Sequence, residues 1–143
     1  MGMTGQCLCG AVKFTAEDVP HQIGACHCGQ CRRWGSGPYF AVRAGSVTFE
    51  GEDNLGRYRS SDWAERGFCK QCGSSLFYRM VEEDRYMMAV GSFDDQSGFE
   101  LARQVFIDEK PGFYAFAQET KTSTGDDFFA RYALTPKNTG SEK

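Results

Sequence analysis

The seven cysteines of the chain fall into three short groups whose spacing is typical of metal ligands. The groups are Cys7-Leu8-Cys9, Cys26-His27-Cys28-Gly29-Gln30-Cys31 and Cys69-Lys70-Gln71-Cys72. Zinc in proteins takes four tetrahedral ligands, often supplied as close pairs from two turns. Two pairs and one triplet divide into a closed structural site with four thiolates and a second site with three. The second site keeps one position open, where chemistry can take place.

The first and third groups resemble each other and predict a shared site. Each is a cysteine pair followed by a glycine, Gly10 or Gly73, and then by a strand-like run. Glycine allows the sharp backbone turn that brings both sulfurs of a pair to one metal ion. We call these residues the four-cysteine cluster (Cys7, Cys9, Cys69 and Cys72) and the remaining three the cysteine triplet (Cys26, Cys28 and Cys31). Metal at the four-cysteine cluster is expected to stabilise the fold directly.

Two other uses of cysteine are weighed against metal binding. Scattered buried thiols would leave some cysteines isolated, whereas every cysteine here belongs to one of the three groups. Disulfides would leave one of the seven cysteines unpaired, and a C-x-C pair is too short to close on itself. The chain starts Met1-Gly2-Met3-Thr4-Gly5 without the apolar run of a signal peptide, so we expect a cytoplasmic protein. Disulfides are rare in that compartment, and metal binding is the favoured interpretation.

Residues beside the cysteine triplet are candidates for contacting a ligand at the open position. His27 lies between two cysteines, so in an extended segment its side chain points away from their metal; a place beside the site is favoured over ligation. Arg32 and Arg33 follow the triplet and suit a ligand carboxylate, the alternative being a solvated basic turn. Trp34 is predicted to form a wall of the pocket rather than part of the core.

Short β-type runs separated by turn residues predict an all-β fold. The 143 residues suit one domain, which we place at 5–134, followed by a polar tail at 135–143. Only Asp126 to Leu134 has a helical pattern, with Asp126 or Asp127 as its cap. The predicted strand segments are Ala11–Ala16, Tyr39–Val42, Ser46–Glu50, Ser75–Tyr78, Arg85–Val90 and Gln104–Ile107.

Charge and hydropathy exclude two large classes of partner. The formal net charge is −3, and Arg32-Arg33 with Arg43 downstream is the one basic cluster, so broad nucleic-acid binding is disfavoured. No segment approaches the roughly 18 apolar residues of a membrane span. A few arginines beside an open metal site instead suit a small anionic ligand.

The cysteine groups and their flanking residues resemble the glutathione-dependent formaldehyde-activating enzyme family, whose domain also occurs in centromere protein V. The resemblance covers Gly5 to about Tyr114. It rests on the cysteine triplet with its following Arg-Arg-Trp, on the two cysteine pairs with their glycines, and on the runs Val90-Gly91-Ser92-Phe93-Asp94-Asp95, Gln104-Val105-Phe106-Ile107 and Lys110-Pro111-Gly112.

The resemblance implies a zinc-pinned β-tent of small antiparallel sheets and two zinc ions. It implies that Cys7, Cys9, Cys69 and Cys72 hold the structural zinc and that Cys26, Cys28 and Cys31 hold the catalytic zinc. The implied reaction is of the carbon–sulfur lyase type, in which a small thiol such as glutathione adds to formaldehyde or a related aldehyde. Gln104 departs from the family, because many members have a histidine there, and glutamine cannot exchange a proton near neutral pH.

A zinc-stabilised binding module without catalysis is the alternative function. A protein side chain that completed the second site would favour it. An open position would favour the enzyme.

Overall fold

The computed structural model describes residues 2–132, which form mostly β-structure with two short α-helices. The strands are β1 (Met3–Gln6), β2 (Lys13–Glu17), β3 (Gln22–Cys26), β4 (Tyr39–Ala44), β5 (Ser46–Glu50), β6 (Leu55–Arg59), β7 (Ala64–Cys69), β8 (Ser75–Met80), β9 (Arg85–Ala89), β10 (Glu100–Val105) and β11 (Lys121–Thr122). The helices are α1 (Gly29–Gly35) and α2 (Gly125–Tyr132). None of the described helices is long and apolar enough to cross a membrane.

The strands form two sheets, which confirms the all-β prediction. The smaller sheet has the order β1-β2-β5, and the larger has the order β11-β10-β3-β4-β9-β8-β7-β6. The expectation of small antiparallel sheets is wrong for the larger one, which has eight strands and in which β10 pairs in parallel with β3 and β11. A parallel pair needs a long crossover, and residues 27–99 supply it between β3 and β10.

The main core lies between the two sheets. In β2, Phe14 and Ala16 are buried while Lys13 is exposed, the alternation expected of a strand with one face on the core. The Phe14 ring meets Phe93 edge to face, with the ring centroids 5.2 Å apart. Both sheets contribute to this cluster, with Leu76, Phe77 and Met88 from the larger one.

A second buried cluster surrounds the cysteine triplet. Phe106 and the α2 residues Phe128 and Phe129 pack with Cys28 and Cys31 in this cluster. The centroids of the Phe106 and Phe128 rings are 5.1 Å apart. The C-terminal helix therefore contributes directly to the surroundings of the triplet.

Helix α2 confirms the predicted C-terminal helix, but its cap is Thr124 and not Asp126 or Asp127. The helix starts at Gly125. The Thr124 hydroxyl accepts a hydrogen bond from the Asp127 backbone N–H, and the Asp127 carboxylate accepts one from the Thr124 N–H. This reciprocal pair is a capping box with aspartate in the third helical position. The end of the predicted helix and the predicted tail at 135–143 lie outside the described residues.

Helix α1 was not predicted, because its seven residues start with glycine and contain no apolar periodicity. Its N-cap is Cys28, whose sulfur accepts a hydrogen bond from the Cys31 N–H. Its C-cap is Ser36, which has a left-handed backbone and donates its N–H to the Arg32 carbonyl. The segment between Cys28 and Trp34 is thus helical and not extended.

Candidate metal centres

The four-cysteine cluster joins two turns that lie far apart in sequence. Cys7 and Cys9 lie in the turn between β1 and β2, while Cys69 ends β7 and Cys72 lies in the turn before β8. The four sulfur atoms lie within 4.8 Å of one another. The structure therefore brings together the two pairs that the sequence assigned to one site, and it links the smaller sheet to the larger.

The sulfur separations in this cluster match a tetrahedral zinc site. The Sγ atoms of Cys7 and Cys9 are 3.7 Å apart, and those of Cys9 and Cys69 are 3.8 Å apart. Four ligands at Zn–S distances of about 2.3 Å lie about 3.8 Å from one another at the corners of a tetrahedron. The donor set and its spacing thus fit zinc.

Two left-handed glycines shape the turns, as the sequence predicted. Gly10 has a φ of 81° and Gly73 a φ of 80°, a region that side chains with a Cβ rarely adopt. The turns also direct backbone N–H groups at sulfur: Val12 donates to Cys7 Sγ at 3.3 Å, and Gln71 donates to Cys69 Sγ at 3.3 Å. Such bonds stabilise thiolates.

Ser74 supports the exposed side of the four-cysteine cluster. Hydrogen bonds from the side chain and backbone of Ser74 lower the pKa of Cys72 to about 5. The Ser74 hydroxyl also accepts the Leu8 N–H at 3.0 Å, which ties the first turn to the second. Cys7 and Cys69 are buried.

The cysteine triplet lies where β3 ends and α1 begins. Cys26 is the last residue of β3, Cys28 caps α1, and Cys31 lies inside α1. The three sulfurs lie within 4.8 Å of one another, and within residues 2–132 no other cysteine, histidine or carboxylate joins the group. The structure therefore brings together the three cysteines that the sequence assigned to the second site.

Hydrogen bonds among the three thiols shift the pKa values of Cys31 and Cys26 in opposite directions. Hydrogen bonds from Cys26 and Cys28, with the nearby Arg66 guanidinium, hold the pKa of Cys31 well below its ordinary value despite burial. Hydrogen bonds to Cys28 and Cys31, followed by burial, raise the pKa of Cys26 well above its ordinary value.

All seven cysteines are unpaired, so the structure does not support a disulfide framework.

Arg66 is a buried cation beside the triplet that sequence reasoning missed. Its side chain comes from β7, and its Nη1 donates to Cys31 Sγ at 3.7 Å while Nη2 donates to Gln30 Oε1 at 3.0 Å. The guanidinium lies over the Trp34 ring at 4.9 Å and near the Tyr78 ring at 5.6 Å. Its only sequence signal is its position in the strand that leads to Cys69.

Both ring nitrogens of His27 form hydrogen bonds to residues outside the triplet, which agrees with the predicted place beside the site. Its Nδ1 lies 2.7 Å from the Tyr114 hydroxyl, and its Nε2 lies 2.8 Å from Gln104 Oε1. Burial lowers the pKa of His27, which favours the neutral ring. Because an amide oxygen only accepts, Nε2–H donates to Gln104, and the Tyr114 hydroxyl donates to Nδ1.

Gln104 belongs to the same series of hydrogen bonds as His27 and Tyr114 and does not face the thiols. Its amide nitrogen donates to the Thr120 hydroxyl at 2.9 Å, which fixes the orientation of the amide. Its neighbours Arg103 and Val105 line a cavity of about 580 Å³, whereas Gln104 does not. The alternation of β10 therefore directs Gln104 to His27 and away from the cavity.

Two adjoining cavities reach the triplet. The smaller, of about 30 Å³, is lined by all three cysteines of the triplet and by Arg66, Trp63 and Phe106, among others. The larger, of about 580 Å³, contains four arginines in its lining and reaches the triplet at Cys26. Four residues line both cavities and mark the junction, namely Cys26, Tyr78, Val105 and Phe128.

The three residues predicted to contact a ligand line neither of these two cavities. Arg32 and Arg33 line a separate cavity of about 360 Å³ together with Phe113 and Tyr114. Arg32 Nε also donates to the His27 carbonyl at 2.9 Å. Trp34 packs against the second buried cluster and lines neither cavity beside the triplet. The arginines that line the large cavity are Arg43, Arg85, Arg103 and Arg131, of which the sequence had singled out only Arg43.

The chain matches a known family over most of its length. Residues 2–109 match the sequence profile of a family described as glutathione-dependent formaldehyde-activating enzyme. The chain belongs to this family. The match includes all seven cysteines and ends before Tyr114 and α2.

Relatives of the glutathione-dependent formaldehyde-activating enzyme family agree with this membership. A Schizosaccharomyces pombe protein named as an uncharacterized lyase is 35% identical over 125 residues, which cover 86% of this chain and 91% of that protein. A Halomonas elongata protein with the provisional name glutathione-dependent formaldehyde-activating enzyme is 26% identical over 147 residues, covering 92% and 89%. A solved structure of a Rhodobacter sphaeroides protein aligns with a TM-score of 0.56 and 26% identity, covering 64% of this chain and 88% of that one.

Proposed function

We propose that the protein is a zinc-dependent enzyme of the carbon–sulfur lyase type. It would add a thiol, glutathione or a similar one, to formaldehyde or a related small aldehyde. The observation that carries the proposal is the cysteine triplet: three sulfurs converge beside a cavity, and within the described residues no fourth ligand completes the site. Family membership supports the same reaction class.

Each cluster would hold one zinc ion with a different role. Cys7, Cys9, Cys69 and Cys72 would hold a structural ion, and Cys26, Cys28 and Cys31 would hold the catalytic one. When bound to the triplet, zinc would stabilise a substrate sulfur as the thiolate, because a metal cation deprotonates a coordinating thiol. Seven unpaired cysteines suit a reducing compartment, so we infer a cytoplasmic enzyme.

The residues around the triplet would position the reactants and exclude water. Phe106, Phe128 and Trp63 give the small cavity an aromatic wall. Arg66 donates to Cys31 and places one buried positive charge against three thiolates, which offsets part of their mutual repulsion. His27 is held neutral between Gln104 and Tyr114, where it fixes the segment between Cys26 and Cys28.

The chemistry requires no redox partner. The thiolate sulfur forms a bond with the aldehyde carbon, the carbon–oxygen double bond becomes a single bond, and the oxygen takes one proton. The product is a hydroxymethyl thioether, and the reverse reaction breaks the carbon–sulfur bond. The arginines that line the large cavity, rather than Arg32 or Arg33, would receive the carboxylates of an acidic thiol.

Exchange spectroscopy tests the proposed reaction. Because thiols add to formaldehyde without a catalyst, the useful quantity is the exchange rate between free and hydroxymethylated glutathione at equilibrium, measured by NMR. The zinc-loaded protein should raise this rate above that of the uncatalysed mixture, and Cys28→Ser should abolish the increase. A protein with both zinc ions bound that leaves the rate unchanged would be a zinc-stabilised binding module and not this enzyme.

A further inference from the structure

Tyr78 presents a phenol ring to both cavities beside the triplet. It belongs to β8 and lines the cavity of about 30 Å³ as well as the cavity of about 580 Å³. Its directly opposite partner on β7 is Arg66, which donates to Cys31 Sγ at 3.7 Å. Opposite residues of paired strands lie on the same face of a sheet, so Tyr78 and Arg66 both face the triplet.

The Tyr78 hydroxyl is a hydrogen-bond donor without an acceptor. Within residues 2–132 it makes no hydrogen bond, whereas the hydroxyl of the neighbouring Tyr39 donates to the Met87 carbonyl at 2.8 Å. Among the described side chains, Trp63 Nε1 is the one buried nitrogen or oxygen atom that lacks a partner. The Tyr78 hydroxyl is therefore not enclosed by protein atoms, and the space that it can reach is that of the two cavities.

The free hydroxyl favours an occupant that carries an acceptor oxygen. Burial raises the pKa of Tyr78 well above its ordinary value, so the hydroxyl keeps its proton near neutral pH and remains a donor. Trp63 also lines the small cavity, so two side chains of that lining carry donors without acceptors. A small cavity with apolar walls and a few unused donors is typical of a site that orients a polar ligand atom.

The proposed addition moves negative charge from sulfur to oxygen. In the reactants the charge lies on the substrate sulfur, where a bound metal ion stabilises it. As the carbon–sulfur bond forms, the charge passes to the former carbonyl oxygen. The three thiolates of the triplet already balance the charge of a zinc ion and of Arg66, so no net positive charge is left for that oxygen. A fixed donor whose bond strengthens as the charge arrives would speed the reaction.

We propose that the Tyr78 hydroxyl is a catalytic hydrogen-bond donor to the aldehyde oxygen. This inference rests on the proposed function, because it assigns a residue to the aldehyde in that reaction. The bond that forms joins sulfur to carbon, and the π-electron pair of the carbonyl moves to the oxygen that Tyr78 contacts. One proton, equal to the one that the thiol releases, reaches this oxygen from solvent through the large cavity. Tyr78 keeps its own proton, and atoms and charge balance.

Matched tyrosine-to-phenylalanine variants test this role. Tyr78→Phe removes the unused hydroxyl, whereas Tyr39→Phe removes a neighbouring hydroxyl that is already bonded to Met87; the two rings lie 6.0 Å apart. In exchange NMR on the zinc-loaded protein, Tyr78→Phe should lower the protein-dependent rate about 100-fold, as the loss of one donor to a developing oxyanion does. Tyr39→Phe should leave that rate unchanged.

Zinc content and glutathione affinity show whether the loss lies in the aldehyde step. Both variants should retain the zinc content of the wild type and its calorimetric affinity for glutathione, because phenylalanine preserves the packing of the ring. If Tyr78→Phe lost zinc or bound glutathione more weakly, the residue would have a structural role, and the proposal would be wrong.

Formamide gives a second readout that involves no turnover, because thiols do not add to its carbonyl. Difference infrared spectra of isotope-labelled formamide should show a carbonyl band at lowered frequency with the zinc-loaded wild type and with Tyr39→Phe. Tyr78→Phe should lack this band, since the donor is gone. Identical spectra for the wild type and Tyr78→Phe would overturn the inference.

The exchange rate and the formamide band together distinguish failure of this inference from failure of the proposed function. If the wild type raises the exchange rate and Tyr78→Phe raises it equally, the proposed function stands and the role of Tyr78 is refuted. If the wild type leaves the exchange rate unchanged but shows the Tyr78-dependent formamide band, the proposed function fails and Tyr78 stands as a carbonyl-binding donor.

Discussion

Replacing Cys72 by serine should destabilise the protein far more than replacing Cys28 by serine. The four-cysteine cluster closes residues 10–68, a loop of 59 residues, and joins the turn after β1 to the turn after β7. The triplet closes only a local segment between the end of β3 and α1. Loss of a ligand therefore releases much more chain entropy at the first cluster than at the second.

The size of the effect follows from the loop length. A cross-link that closes about 60 residues removes roughly 4 kcal/mol of chain entropy from the unfolded state. For a domain of this size that corresponds to a loss of about 10–20 °C in Tm. Cys28→Ser should cost less than about 2 kcal/mol, because serine retains the N-cap that accepts the Cys31 N–H.

Thermal unfolding followed by circular dichroism, with zinc content measured on the same samples, checks this contrast. A chelator should lower the Tm of the wild type by about as much as Cys72→Ser does and should have little further effect on that variant. Equal losses of Tm in Cys72→Ser and Cys28→Ser would refute the division into one structural and one open site.

Three further substitutions test the surroundings of the triplet. Arg66→Leu should weaken zinc retention about 10–100-fold, because it removes a hydrogen bond to the zinc ligand Cys31. Chelator competition measures this retention, and an unchanged value would contradict the role given to the Arg66–Cys31 contact. Gln104→Leu should cost about 1–3 kcal/mol in urea unfolding, because the Nε2–H of His27 loses its partner, while thiol binding persists. Thr124→Ala should cost about 1 kcal/mol by removing the α2 cap, and a neutral result would refute that assignment.

The sequence predicted the grouping of the cysteines and much of the β-structure, because both signals are local. The turn glycines Gly10 and Gly73 have the left-handed conformation that the C-G pairs suggested. The segment Ser46–Glu50 alternates polar and apolar residues and forms β5 with the same bounds. The strand predicted at Gln104–Ile107 instead spans Glu100–Val105, since Phe106 adopts a positive φ of 55° and turns the chain.

The features that the sequence did not predict depend on contacts between distant segments. Helix α1 is short and is capped by a cysteine, so its sequence shows neither the apolar periodicity nor the usual cap residue that would predict a helix. The parallel pairing of β3 with β10 left no local signal, yet it aligns Arg103 with the cavity at Cys26. Arg32 and Arg33 were predicted to contact a ligand because they follow the triplet in sequence, but in helix α1 they line another cavity.

The most direct test of the account is zinc content and sulfur coordination with and without glutathione. Purified protein should contain two zinc ions per chain, with zinc K-edge X-ray absorption giving a mean of about 3.5 cysteine sulfurs per zinc. Glutathione should raise the mean to about 4 in the wild type, and S-methylglutathione should not. One zinc per chain, or a sulfur number that glutathione leaves unchanged, would contradict an open thiol-binding position at Cys26, Cys28 and Cys31.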